Sequence, residues 1–172
     1  MNDGYEEILV KRGKTPKDTI LKAVIIGVTA VLVAAGIFFF NPLFLLAGMA
    51  LGLLGYYLIL PNFDLEYEYL YVNGDFDIDK IMNKTRRKRV ASYTLEEMEI
   101  IAPSSSHDLD PWRGKASVKD YTSGQMNKNS YTALYNTSSG QLLVMLELDE
   151  DVIRDIRRLA PRKISRDILL LH

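Results

Sequence analysis

Two uncharged apolar runs, Ala23 to Phe40 and Leu43 to Leu60, follow each other with only Asn41-Pro42 between them. Each is 18 residues long, about 27 Å as a helix, against roughly 30 Å of bilayer hydrocarbon. The pattern predicts a helical hairpin that spans a membrane. Helices apolar on every face need covering on every face, and the 112 mostly polar residues from Pro61 onward do not supply it. Val33-Ala34-Ala35 has the small side chains of a signal-peptidase site. It lies inside the first run, however, and a second run follows, which argues against a cleaved leader.

Lys11, Arg12, Lys14, Lys17 and Lys22 flank the first run, Arg86, Arg87, Lys88 and Arg89 come after the second, and Asn41-Pro42 is uncharged. The positive-inside rule therefore predicts a multi-pass protein of the cell membrane with both termini cytoplasmic. The chain divides into a cytoplasmic N-terminal segment (1–18), a two-helix transmembrane hairpin (19–60) and a cytoplasmic domain with a C-terminal helix and tail (61–172). Tyr56 and Tyr57 suit the interfacial aromatic belt, and Lys22 can snorkel. Gly48, Gly52 and Gly55 on the second helix, with Ala23, Gly27, Ala30 and Ala34 on the first, predict close helix contact within the hairpin; a face for a second copy is the alternative. Neither run contains a charge, which argues against an ion path through the hairpin.

From Pro61 onward 18 acidic residues face 16 basic ones, so the excess of cations that a nucleic acid partner demands is missing. The chain has no cysteine, which excludes disulfides, thiolate zinc sites and cysteine nucleophiles. Leu65 to Met82 alternates around Asn73-Gly74, the favoured pair for a tight hairpin turn. One face of that hairpin carries Leu65, Tyr67, Tyr69, Tyr71, Phe76, Ile78 and Met82. The other carries Glu66, Glu68, Asp75, Asp77 and Asp79, with Glu68 directly opposite Asp79. Asn83-Lys84-Thr85 reads as the next turn, leading into the basic strand from Arg86. Laid beside the acidic face, that strand offers cross-strand ion pairs; the alternatives are anionic lipid headgroups for the cations or a divalent cation for the carboxylates.

Further strands are predicted at Met98 to Ala102, Lys115 to Thr122, Tyr131 to Thr137 and Gln141 to Leu148, the last two joined by Ser138-Ser139-Gly140. Val152, Ile153, Ile156 and Leu159 then form a helical stripe, with acids at its start, arginines at its end and Pro161 as its stop. Ile164 to Leu171 adds an amphipathic segment that packs on the domain or lies on the membrane surface.

Seven strands followed by one helix, together with Tyr67-Glu68-Tyr69 through Asn73-Gly74 to Asp77-Ile78-Asp79-Lys80-Ile81, resemble an uncharacterised group of bacterial two-span membrane proteins carrying a bacterial pleckstrin-homology-like (PH-like) domain. The resemblance covers about Thr19 to Pro161. It implies an α+β fold: the transmembrane hairpin, then a seven-stranded PH-like β-barrel or sandwich with a C-terminal helix. Pleckstrin-homology domains that bind inositides use basic residues around the first hairpin turn. Here that turn is Asn73-Gly74-Asp75, so the resemblance does not carry inositide binding over.

No phosphate loop, dinucleotide fingerprint or metalloprotease motif occurs. Ser104-Ser105-Ser106-His107-Asp108 holds the residue types of a serine triad, but consecutive residues cannot converge as nucleophile, base and orienter. His107 with Asp108 and Asp110 reads as a polar loop before it reads as a metal site. The sequence thus predicts no enzyme, no catalytic or metal residues and no cofactor. Trp112 is expected to close the open end of the barrel, or to face a partner or the headgroups. Together with Arg86, Arg87, Lys88 and Arg89 it forms the set expected to contact lipid or a partner. The two longest irregular segments, Pro103 to Gly114 and Ser123 to Ser130, are where binding residues concentrate. The expected partners are membrane lipids and a protein or a second copy of the chain. The expected role is protein contact or assembly at the membrane, with an anionic-lipid sensor or an accessory subunit of a membrane enzyme or transporter as alternatives.

Overall fold

The computed structural model describes residues 5–13, 16–59, 64–138 and 140–171. They form two compact units, one built around a helical pair (residues 14–65 with 82–86), the other a β-sandwich (the remaining segments).

In the helical unit, α1 spans Pro16–Phe38 and α2 spans Pro42–Leu54, continuing as a π-helical turn over Gly55–Ile59. Both are long and apolar enough to cross a membrane. The connection is shaped by sequence. Phe40 takes a left-handed backbone (φ 51°), Asn41 caps α2 by accepting a hydrogen bond from the Leu43 amide at 3.0 Å, and Pro42 occupies the first turn, where its missing N–H costs nothing. The expected glycine face is the contact face on α2. A Cβ added at Gly48 would meet Val33 at 2.8 Å, and one at Gly55 would meet Ile25 at 2.9 Å. On α1 the expectation is corrected: Ala23, Gly27, Ala30 and Ala34 are exposed. The contact is made instead by Ile25, Thr29, Leu32, Val33 and Gly36, and a Cβ on Gly36 would lie 2.6 Å from Leu45. Bulky α1 side chains are set against bare α2 backbone at Gly48 and Gly55, the reverse holds where Leu45 of α2 meets Gly36, and Ala23, Gly27, Ala30 and Ala34 are left outside.

The second unit holds two four-stranded sheets. The first has the order β1 (Tyr5–Lys11), β2 (Leu65–Val72), β3 (Asp75–Met82), β4 (Arg86–Thr94). The second runs β5 (Met98–Pro103), β7 (Ser130–Thr137), β8 (Gly140–Glu147), β6 (Ser117–Asp120), with β6 parallel to β8. Ser139 of the expected Ser138-Ser139-Gly140 turn lies outside the described residues; on either side of it Thr137 pairs with Gly140. Two expectations change. There are eight strands among the described residues because residues 5–11, expected as part of a separate N-terminal segment, pair antiparallel with β2 from Tyr5 opposite Val72 to Lys11 opposite Glu66. The sheets also keep open edges at β1, β4, β5 and β6, so the fold is a sandwich and not a closed barrel.

Alternation decides what lies between the sheets. Tyr67, Tyr69, Tyr71, Phe76 and Ile78 from the first sheet share one core with Tyr131, Ala133, Tyr135, Val144 and Leu146 from the second. Val10 of β1 is also in it. Helix α3 (Glu150–Leu159) closes this core with Val152, Ile153 and Ile156, and the Tyr71 hydroxyl donates to Asp155 of that helix at 2.7 Å. The segment after Pro161 packs on the domain: Ile164 and Ile168, the latter in α4 (Arg166–Leu171), are buried in the same core. The odd-numbered residues of β8 point the other way. There Leu143, with Ala102, Leu109 and Leu134, makes a second, smaller cluster under the chain that follows β5.

Candidate functional site

Two places on the sandwich carry the features that the sequence marks out. The first is the basic strand. Arg87 pairs with both Glu68 and Asp79, its Nε reaching Asp79 at 2.7 Å, while Arg89 pairs with Asp77 at 3.0 Å and Asp79 at 3.4 Å. Two of the five expected contact residues, Arg87 and Arg89, are therefore engaged by the acidic face of the β2–β3 hairpin. Arg86 and Lys88 are exposed, and their side chains make no ion pair or hydrogen bond among the described residues. Glu68 is only 7% exposed, so its carboxylate depends on Arg87: removing one member of such a pair strands the other in a poorly solvated site. Arg87→Gln is expected to cost about 2 kcal/mol in denaturant unfolding, while Arg86→Gln and Lys88→Gln stay within about 0.5 kcal/mol. Equal losses at all three positions would refute the pairing.

The β2–β3 turn has the expected left-handed pair, Asn73 (φ 50°) and Gly74 (φ 101°). It is covered: the Leu95 amide donates to the Gly74 carbonyl at 2.8 Å, and a Cβ on Gly74 would lie 3.1 Å from Leu95. Asn73 and Asp75 on either side of Gly74 stay exposed and bring no cation to the turn.

The second place lies on the outer face of the β5-β7-β8-β6 sheet, where the two long irregular segments converge. Leu143 and Met145 of β8, Thr132 of β7 and Val118 of β6 form one side of a cavity of about 410 Å³. Ser104, Leu109 and Arg113 from the chain after β5, and Met126 from the chain after β6, complete it. The lining is apolar apart from Ser105, a buried hydroxyl pair, Ser104 Oγ to Thr132 Oγ1 at 2.8 Å, and Arg113. The Arg113 guanidinium fastens its own loop, donating to the Ser104 carbonyl at 2.7 Å and the Ser106 carbonyl at 3.2 Å, and pairing with Asp110 at 3.3 Å. The other loop is anchored where Ser123 donates through its amide and its hydroxyl to Glu147, at 2.8 and 2.6 Å. Val118 is 54% and Met126 71% exposed at this cavity. An apolar pocket with a few fixed polar groups is the usual form of a binding site.

Trp112 does not close a barrel end. It is half-buried against the Ala102–Leu109–Leu134–Leu143 cluster, and it also lines an open cleft with Glu96, Glu97, Glu99, Asn136 and Lys163. The triad-type residues do not converge. Ser104 bonds Thr132, Ser106 donates to Asp167, and the exposed His107 contacts Asp110 at 2.9 Å. Among the described residues no group of three or more His, Asp or Glu side chains is placed to hold a metal ion. Sequence reasoning missed Val118, Met126 and the Ser104–Thr132 pair; the length of the two loops was the available signal.

A two-sheet sandwich closed by a C-terminal helix, in a chain that also carries a pair of long apolar helices, defines a PH-like protein with a candidate membrane anchor. Residues 2–166 match the family described as Bacterial PH-like domain (DUF6106), and the chain belongs to that family. No curated protein and no solved structure matches it.

Proposed function

We propose that this chain is a membrane-anchored, non-catalytic binding module whose sandwich lies in the cytoplasm and docks a protein partner through the pocket between its two long loops. The observation that carries the anchoring half is the β1–β2 pair. The strand before the helical pair and the strand after it are neighbours in one sheet, and paired strands cannot lie on opposite sides of a bilayer. Two spans between them satisfy that requirement, and the cations on both flanks favour the cytoplasmic side. The docking half is supported by Val118 and Met126, apolar side chains left exposed beside an apolar pocket. Exposed hydrophobic surface of this kind marks interaction sites, and methionine adapts to a partner's shape.

The chain has no cysteine, so single reporters are clean. Cysteines placed at Glu7 and Lys119 are expected to react with an impermeant maleimide only after cells are opened. Labelling of either in intact cells overturns the topology. A photo-crosslinker at Val118 is expected to give one discrete protein adduct in native membranes. Met126→Glu should weaken that adduct roughly thirtyfold if Met126 is a hot spot worth about 2 kcal/mol. Adducts unchanged by Met126→Glu overturn the docking site.

A further inference from the structure

We infer that the β3–β4 turn is an anionic-lipid contact, in which Lys84 and Arg86, together with Lys17 and Lys22 of α1, hold phospholipid phosphates at the charged end of the helical pair. The inference rests on the spanning role proposed above and names the lipid chemistry that goes with it.

Three observations within the helical unit support it. First, the turn belongs to that unit and is tied to the chain that leaves the second helix: the Asn83 amide donates to the Asp64 carbonyl at 2.8 Å. Second, the turn is built to project. Asn83 (φ 50°) and Lys84 (φ 54°) are both left-handed, and the Thr85 amide closes it on the Met82 carbonyl at 3.2 Å. A lysine tolerates that backbone poorly compared with asparagine or glycine, so packing or charge must favour it there, and Lys84 is exposed. Third, the cations are unspent. Lys17, Lys22, Lys84 and Arg86 are all exposed and their side chains have no ion pair or hydrogen bond among the described residues. The opposite end of the helical pair carries only Phe38, Phe39, Phe40, Asn41 and Pro42.

The helices pack antiparallel, Ile25 beside Gly55 and Gly36 beside Leu45. Lys17 and Lys22, in the first turns of α1, therefore share an end with Ile59, and Asp64 and the turn bonded to it belong to the same compact unit. A bilayer's anionic phosphates are the ligand that meets four exposed cations in the same compact unit as an apolar helical pair. Each juxtamembrane cation is worth about fivefold in affinity for an anionic surface. The arginines paired to Glu68, Asp77 and Asp79 are not part of this contact, which moves it off the centre of the basic strand and onto the turn.

The test uses the full chain with Thr85→Cys carrying an environment-sensitive dye, reconstituted in nanodiscs. Quenching by headgroup-spin-labelled phosphatidylglycerol is compared with quenching by equally labelled phosphatidylcholine. Phosphatidylglycerol is expected to be preferred by about fivefold or more, with the preference shrinking as salt rises. It should fall at least severalfold in Lys84→Asn/Arg86→Gln, a pair that keeps a residue tolerant of the left-handed turn. It should survive in Lys115→Gln/Lys119→Gln. No preference in the parent chain, no change in the Lys84/Arg86 variant, an equal loss in the Lys115/Lys119 variant, or loss on adding inorganic phosphate at constant ionic strength each overturns the lipid contact. A chain that fails to enter the discs overturns the spanning role instead, and the lipid contact with it.

Discussion

A chain in which residues 13–64 are replaced by Asn-Gly is expected to fold as a water-soluble, cooperatively unfolding sandwich, whereas a fragment beginning at Asp64 is expected to aggregate or to lose about 4 kcal/mol. The difference is β1. Lys11 lies opposite Glu66 and 3.9 Å from its carboxylate, so Arg12 and Leu65 stand where a two-residue hairpin turn would join them. Without β1, Val10 leaves the core and Ile8 no longer packs on it. Each apolar side chain of that size is worth about 1.5 to 3 kcal/mol when fully buried, a large fraction of the roughly 5 to 15 kcal/mol that holds a domain of this kind together. The hydrogen-bonding edge of β2 would also be bared, a template for intermolecular pairing. Urea unfolding of both chains decides it. A fragment from Asp64 with the same midpoint as the Asn-Gly chain would show that β1 is dispensable.

Alkaline unfolding between about pH 10 and 12 is the second large effect expected. Burial raises the phenols of Tyr69, Tyr71, Tyr93 and Tyr135 far above their ordinary value of 10.0, and raises Tyr67 and Tyr131 less. Partners add to the effect at Tyr71, which already donates to Asp155, and at Tyr93, whose hydroxyl lies 3.4 Å from that of Tyr121. The sign follows from linkage: below pH 10 both folded and unfolded chains keep these phenols protonated and nothing is lost. Above it only the unfolded chain ionises, so stability falls as pH rises toward the folded-state values. Each such phenol removes about 1.4 kcal/mol per pH unit. Four of them remove about 5 kcal/mol per pH unit, enough to exhaust an ordinary domain's stability within two units. In the Asn-Gly chain, tyrosinate absorbance of these groups should appear together with loss of near-ultraviolet dichroism. Complete titration near pH 10 with dichroism intact would show that the core does not protect them.

What the sequence discloses depends on how local the cause is. The helical pair, the Asn73-Gly74 turn, the arginine pairing with Asp77 and Asp79, and α3 all follow from neighbouring residues, and each is visible in a short window. β1 is not, because Glu6-Glu7-Ile8-Leu9-Val10-Lys11 is brief, charged at both ends and separated from its partner by the whole helical pair. Its one signal is Ile8-Leu9-Val10 within a polar stretch. Counting without it gives seven strands and suggests a barrel. The Ala23-Gly27-Ala30-Ala34 stripe misleads for a different reason: small residues permit close approach without requiring it, and the clearance at Gly36, Gly48 and Gly55 already seats the partner helix. The two long loops are legible as loops. The pocket between them is not, since it also needs Leu143 and Met145 on the sheet's outer face and Arg113 turned back on its own backbone.

The pairing of β1 with β2 also orders events during synthesis. Tyr5–Lys11 leaves the ribosome first, yet the strand it must join emerges only after both apolar helices have been made. At roughly 5 to 20 residues per second, the early strand waits several seconds without a partner. The sandwich can be completed only once the helical pair has been made, and a chain stalled at that step would show its edge to chaperones and proteases.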